Sequence, residues 1–109
     1  MRDSLGLERI WVGGVEVAFG QIHILADSAR AREGEKRVRF VGGISLRDSS
    51  RSIRADTLGF DRDNGIASFR GRVRMEEADR TLAAQRVRYH SRTGLIEAKG
   101  RVDLRYLDQ

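Results

Sequence analysis

Gly42-Gly43-Ile44-Ser45-Leu46 leads, after a short turn, to Ala55-Asp56-Thr57-Leu58-Gly59-Phe60-Asp61, and the pattern then restarts at Gly71-Arg72-Val73-Arg74-Met75. The interval from Gly42 to Gly71 is 29 residues, and the same interval links Gly13 to Gly42 and Gly71 to Gly100. Other columns keep this register: Ala26, Ala55 and Ala84; Ile24, Ile53 and Leu82; Ala29, Leu58 and Val87; Trp11, Phe40, Phe69 and Ala98. A fixed period of this length marks a chain built from one repeated supersecondary unit.

Within each unit the apolar residues alternate. Ala67, Phe69, Gly71, Val73 and Met75 fall on one side, while Arg70, Arg72, Arg74 and Glu76 fall on the other. A period of two is that of a strand with one buried face. The second half of each unit changes phase, since Ile53 and Ala55 face inward and then Leu58 and Phe60 do. This predicts a bulge or bend at Asp56-Thr57, and likewise at Asp27-Ser28 and Gln85-Arg86. A central inward glycine weakens a strand unless the chain folds there, so the glycine column predicts a line where every strand bends over.

Turn-forming residues at Glu33-Gly34, Asp48-Ser49-Ser50, Asp63-Asn64-Gly65, Glu77-Ala78-Asp79 and Arg92-Thr93-Gly94 divide the chain into about seven strands. These lie near 7–19, 21–32, 36–47, 51–62, 65–76, 80–91 and 94–106. Such short connections require antiparallel neighbours. The expected fold is therefore all-β: a single domain over 1–109 formed by an antiparallel meander, creased lengthwise and open at both edges, with apolar residues inside the crease and arginine-rich rows outside.

Composition agrees with this reading. The 109 residues include 12 glycines, no proline and no cysteine, and carry a net charge of +5, with Lys36 and Lys99 the only lysines among 21 basic residues. Disulfide and thiolate chemistry are excluded. The apolar runs are far shorter than the roughly 20 residues of a membrane-spanning helix, and the Met1–Ile10 stretch has no apolar core of a secretory signal.

Catalysis finds no support in the pattern. His23 and His90 have no metal-ligand spacing to another His, Cys or carboxylate, so no metal or cofactor is expected. Asp27 and Asp56 recur with the repeat, which suits a turn or bulge hydrogen bond better than acid–base chemistry. The aromatic residues fall mostly in inward columns, leaving no stacking platform for nucleic acid.

The Gly-x-Val/Ile-x-Leu/Met segments, the Ala55-Asp56-Thr57-Leu58-Gly59-Phe60-Asp61 stretch and its copy Ala84-Gln85-Arg86-Val87-Arg88-Tyr89-His90 resemble the OstA-like domain of bacterial lipopolysaccharide-transport proteins, over about residues 7–106. That family often carries Asn after the strand glycine, where this chain has Gly or Arg, and an acidic residue at the position of Gln85.

The resemblance implies a folded-over β-jellyroll in the periplasm whose groove takes the acyl chains of lipopolysaccharide and whose copies join edge to edge into a bridge serving outer-membrane biogenesis. The groove would be lined by Val38, Phe40, Ile44, Leu46, Ile53, Leu58, Phe60, Phe69, Val73, Met75, Ile96 and Val102. The joining edges would be formed by Ile10, Val12, Val15 and Val17 at one end and by Val102 and Leu104 at the other. Partners would be lipopolysaccharide and either other OstA-like domains or copies of the chain itself.

The competing reading is a polymerising β-repeat scaffold with a filled core and no ligand. The outward cluster Arg70, Arg72, Lys99 and Arg101 reads either as a solvated sheet face or as a contact for lipid phosphates.

Overall fold

The computed structural model describes residues 8–106, apart from 33 and 35. It contains eight strands: β1 (Glu8–Phe19), β2 (Ile22–Arg32), β3 (Arg37–Arg47), β4 (Ser52–Asp61), β5 (Ile66–Glu76), β6 (Arg80–His90), β7 (Leu95–Lys99) and β8 (Asp103–Tyr106). They form one sheet in the order β1 to β7, with β8 also paired to β6, and every pairing is antiparallel. Residue 7 of the first expected strand and Glu33 of the first long turn lie outside the described residues.

Each of β1, β3 and β5 contributes two consecutive left-handed residues at its glycine column. Gly42 and Gly43 have φ of 82° and 55°, and Gly71 and Arg72 have 86° and 47°. Opposite each pair on the following strand stands one residue, so the register shifts by one between Val41 and Ile44 and again between Arg70 and Val73. This two-against-one count is a β-bulge, which bends the strand and raises its twist. The bend expected from the glycine column and the one expected at Asp56-Thr57 are thus one crease, seen from two neighbouring strands.

The crease separates two wings, each carrying two apolar ladders. In the first wing, Ala29, Phe40, Leu58, Phe69, Val87 and Ala98 are successive cross-strand partners, as are Ala31, Val38, Phe60, Ala67, Tyr89 and Ile96. In the second wing, Ile24, Leu46, Ile53, Met75, Leu82 and Leu104 form one such line. Folding lays these ladders against one another, so that Phe40, Ile44, Leu46, Ile53, Leu58, Phe69, Val73 and Met75 are all essentially buried. Each such side chain contributes about 1.5–3 kcal/mol on leaving water.

The expected seventh strand, 94–106, is two strands. It breaks at Gly100-Arg101-Val102, where the crease crosses it, and its halves β7 and β8 pair with the two halves of β6. The last strand combines two features found apart elsewhere: an edge position, shared with the unbroken β1, and a non-glycine left-handed residue, Arg101, matched by Arg72 in the unbroken β5.

Two substitutions probe the crease. A β-carbon on Gly71 would stand 2.5 Å from Asp56 Oδ2 in a backbone conformation that L-residues avoid. Gly71→Ala should therefore cost more than about 2 kcal/mol in urea unfolding. Arg101, the counterpart of Arg72, is left-handed with φ of 50°, and Asn tolerates that region better, so Arg101→Asn should raise stability by about 0.5–1 kcal/mol.

Candidate functional site

The strands are about 11 residues long, or roughly 36 Å at about 3.3 Å per residue, yet their opposite ends touch. Tyr89 lies at the tip of the first wing and Asp48 at the tip of the second, and the Tyr89 hydroxyl donates to Asp48 Oδ2 over 2.8 Å. Arg51, beside Asp48, donates from a terminal guanidinium nitrogen to the Gly94 carbonyl at 3.0 Å. It also stacks over the Tyr89 ring at 5.5 Å and pairs with Glu77 at 3.3 Å. Arg80 adds a 2.6 Å bond to the same carboxylate. These side chains clasp the two wing tips together.

Burial within the clasp opposes ionisation of Asp48. The Ser50 N–H, the Tyr89 hydroxyl, the Arg51 N–H and the Arg51 charge outweigh it and hold the carboxyl below its ordinary value. Glu77 behaves alike: burial is outweighed by Arg80 and Arg51. Burial, and then the bond to Asp48, push the Tyr89 phenol upward.

The residues expected to line a groove are brought together. Phe40, Ile44, Leu46, Ile53, Leu58, Phe60, Phe69, Val73 and Met75 belong to one buried cluster, with Val38, Ile96, Val15 and Val17 packed at its margins. In this conformation they fill the interior by packing on each other. Val102 does not join them: it sits in the break between β7 and β8 and is 51% exposed.

Toward both edges the interior ladders emerge into solvent. Trp11 continues the row of Phe40 and Phe69 but is 45% exposed, against 1% for each of those. Leu104 and Tyr106 are likewise exposed on β8. Ile10 and Val12 point outward from β1, as alternation requires, with Val12 76% exposed. The crease shows the same incompleteness. A β-carbon on Gly42 would press on Asp27 of the preceding strand, whereas one on Gly13 would meet nothing within 4 Å among the described residues.

The outward cluster differs from the sequence expectation. Arg72 and Arg101 are the left-handed residues of the crease, and Arg72 grips Asp56 through two bonds of 2.9 and 3.2 Å. Asp56 thus serves the bulge. Arg70 and Lys99 instead flank Arg86, one residue opposite the next across β5, β6 and β7. Together with Arg37, Arg88, Glu97 and Ser68 they surround a hollow of about 350 Å³ on the outer face. Arg86 was not singled out from sequence because only the ladder register places it between the other two. The clasp residues were also missed, since Asp48 and Tyr89 are 41 positions apart and form no motif.

Among the described residues no group of three or more His, Cys, Asp or Glu could hold a metal ion, and no helix is long and apolar enough to cross a membrane.

Tyr89→Phe should cost about 1 kcal/mol in denaturant unfolding, because it leaves the partly buried Asp48 short of one donor. The carboxyl groups of Asp48 and Glu77 titrate lower in the folded chain than in the unfolded one. Their stabilisation is therefore complete above the unfolded value near 4 and drains away as pH falls through the lower folded value. The unfolding midpoint should drop on acidification through this range, and Asp48→Asn with Glu77→Gln should flatten that limb.

Neither the protein-family models nor the curated proteins contain a match to this chain. Among solved structures, LptH from Pseudomonas aeruginosa superposes with a TM-score of 0.82 over 96% of this chain and 87% of that one, at 11% sequence identity. LptH is described as the LptA-homologous periplasmic component of the conserved lipopolysaccharide transport device. The fold of this chain, an antiparallel sheet folded over on itself, is that of LptH.

Proposed function

We propose that this chain is a periplasmic lipopolysaccharide-binding transport domain that shields acyl chains between its two wings and stacks edge to edge with further OstA-like domains or with its own copies. One observation carries the reading: the apolar interior spans the sheet from β1 to β8 and is uncapped at both edges among the described residues. Among the described residues neither edge is covered by another segment. The sequence contains no proline, and the outward side chains of β1 include Ile10 and Val12, which leaves its backbone donors and acceptors able to pair.

Adding a strand of another copy beside β1 would supply a neighbour to the open side of Gly13 and cover Trp11, Val15 and Val17. Adding one beside β7 and β8 would cover Ile96, Val102 and Leu104. Pairing the last strands of one copy with the first strand of the next is a heterologous contact, which propagates into filaments and joins the interiors into one apolar path. Each methylene of an acyl chain buried there would contribute about 0.8 kcal/mol. The likeness to LptH supports the same reading at the level of fold, and nothing in the described residues calls for a catalytic role.

A second reading, a ligand-free polymerising scaffold, draws on the tight packing of Phe40, Leu46 and Phe69 in the closed conformation. The two readings differ in what reaches the interior. Photo-crosslinking probes at Phe40, Ile44 and Phe69, exposed to lipopolysaccharide, should each yield adducts. Their absence from a folded sample would leave the scaffold.

Edge pairing is tested separately by light scattering. The apparent mass should rise with concentration, and Trp11→Lys or Leu104→Lys should suppress the rise. A strictly monomeric chain at high concentration contradicts stacking.

A further inference from the structure

Directly opposed arginines recur in this sheet, as at Arg54 and Arg74, but the outer face of β5 to β7 carries three cations in line. Arg70 stands directly opposite Arg86, and Arg86 directly opposite Lys99. Like charges in directly opposed cross-strand positions destabilise a sheet, and here three cations occupy one unbroken row. Two residues along each strand, Arg88 stands between Ser68 and Glu97. Beyond Ser68 comes Gly59, and the Arg37 side chain lies over it, 3.8 Å from where a β-carbon would be. The small residues Gly59 and Ser68 leave room for the hollow, and the long cationic side chains wall it.

Five cations thus face a single carboxylate. That carboxylate is already engaged: Glu97 accepts from the His90 ring at 2.8 Å, and this bond, more than the nearby Arg88 and Lys99 charges, holds it below the ordinary range. Some exposed cations elsewhere are paired. Lys36 meets Asp63, Arg72 meets Asp56 and Arg105 meets Asp103. Arg70, Arg86, Arg88 and Lys99 have no such carboxylate partner within ion-pair distance among the described residues.

The hollow also lies beside an edge. On β7 the inward Ile96 and Ala98 alternate with the outward Glu97 and Lys99, so an apolar margin and a cationic margin are separated by the thickness of one strand.

We infer that this hollow binds the phosphorylated headgroup of an amphiphile whose acyl chains occupy the interior. The inference deepens the transport reading and rests on it for the identity of the amphiphile. Guanidinium forks match phosphate oxygens two at a time, and a phosphate carrying up to two charges satisfies several opposed cations at once.

The test compares the affinity of the full chain for diphosphorylated lipid A and for its enzymatically dephosphorylated form, at low ionic strength where exposed charges are least screened. The wild type should prefer the phosphorylated form by about tenfold. The double variant Arg70→Gln, Arg86→Gln should reduce the preference to about twofold or less, while Arg54→Gln, Arg74→Gln, an equal charge loss on the other wing, should retain it. Circular dichroism melts establish that both variants fold.

A wild type without preference, or a hollow variant that keeps it, overturns the inference. Inorganic pyrophosphate supplies the remaining arm. If it alone binds the hollow as tightly as lipid A does, the site serves free phosphate and the headgroup assignment falls. A crosslinking probe at Ile44, on the opposite wing, separates this result from the transport reading. Adducts at Ile44 without a phosphate preference sink only the hollow, whereas a phosphate preference without adducts sinks only the acyl-chain interior.

Discussion

The structure depends on the packing of a glycine against the acidic or amide side chain of the strand before it. Gly42 lies under Asp27, Gly71 under Asp56 and Gly100 under Gln85, so closely that a β-carbon at any of the three would collide with the opposing side chain. Because the next residue is also left-handed, two residues oppose one and every strand bends at the same level. Without that bend the eight strands would form a flat two-faced sheet with one face of aromatic and aliphatic rows in water. With it, each strand supplies both layers of its own core.

Closure follows from the crease and is distributed unevenly. The wing tips are tied by the bonds from Tyr89 to Asp48 and from Arg51 to the Gly94 carbonyl, which form only when the sheet is folded over. Among the described residues the two lateral edges carry no comparable tie, and there the interior rows end in exposed Trp11 and Leu104. A molecule entering the interior would meet apolar surface at the edges and a polar clasp along the tips. Parting the wings breaks charge-assisted bonds in a partly desolvated setting, which costs more than separating exposed ion pairs.

Much of the fold was legible in the sequence because its determinants are local. Alternation set the strands, the turn residues divided them, and the phase change between Ala55 and Leu58 located the bulge. The break of the last strand at Gly100-Arg101-Val102 was not legible: the motif there matches Gly71-Arg72-Val73, and what differs is the missing neighbour on one side. The inward columns named residues that the centre of the sheet buries; Val102 is displaced by that same break, and Trp11 and Leu104 are left exposed where their rows reach the edges. The outer cations were grouped by repeat position, whereas their true neighbours follow ladder register, which replaces Arg72 and Arg101 by Arg86 and Arg88.

The sequence by itself determined the repeat, the strand period, the line of bending and the inward rows, since each is a matter of residue type at a fixed short spacing. Tertiary structure decided which surfaces face each other. It joined Tyr89 to Asp48 across the fold, aligned three cations over the hollow beside Gly59, and left the interior open at β1 and β8. These relations link residues far apart in the chain, and their energies exist only once the crease has brought the wings together.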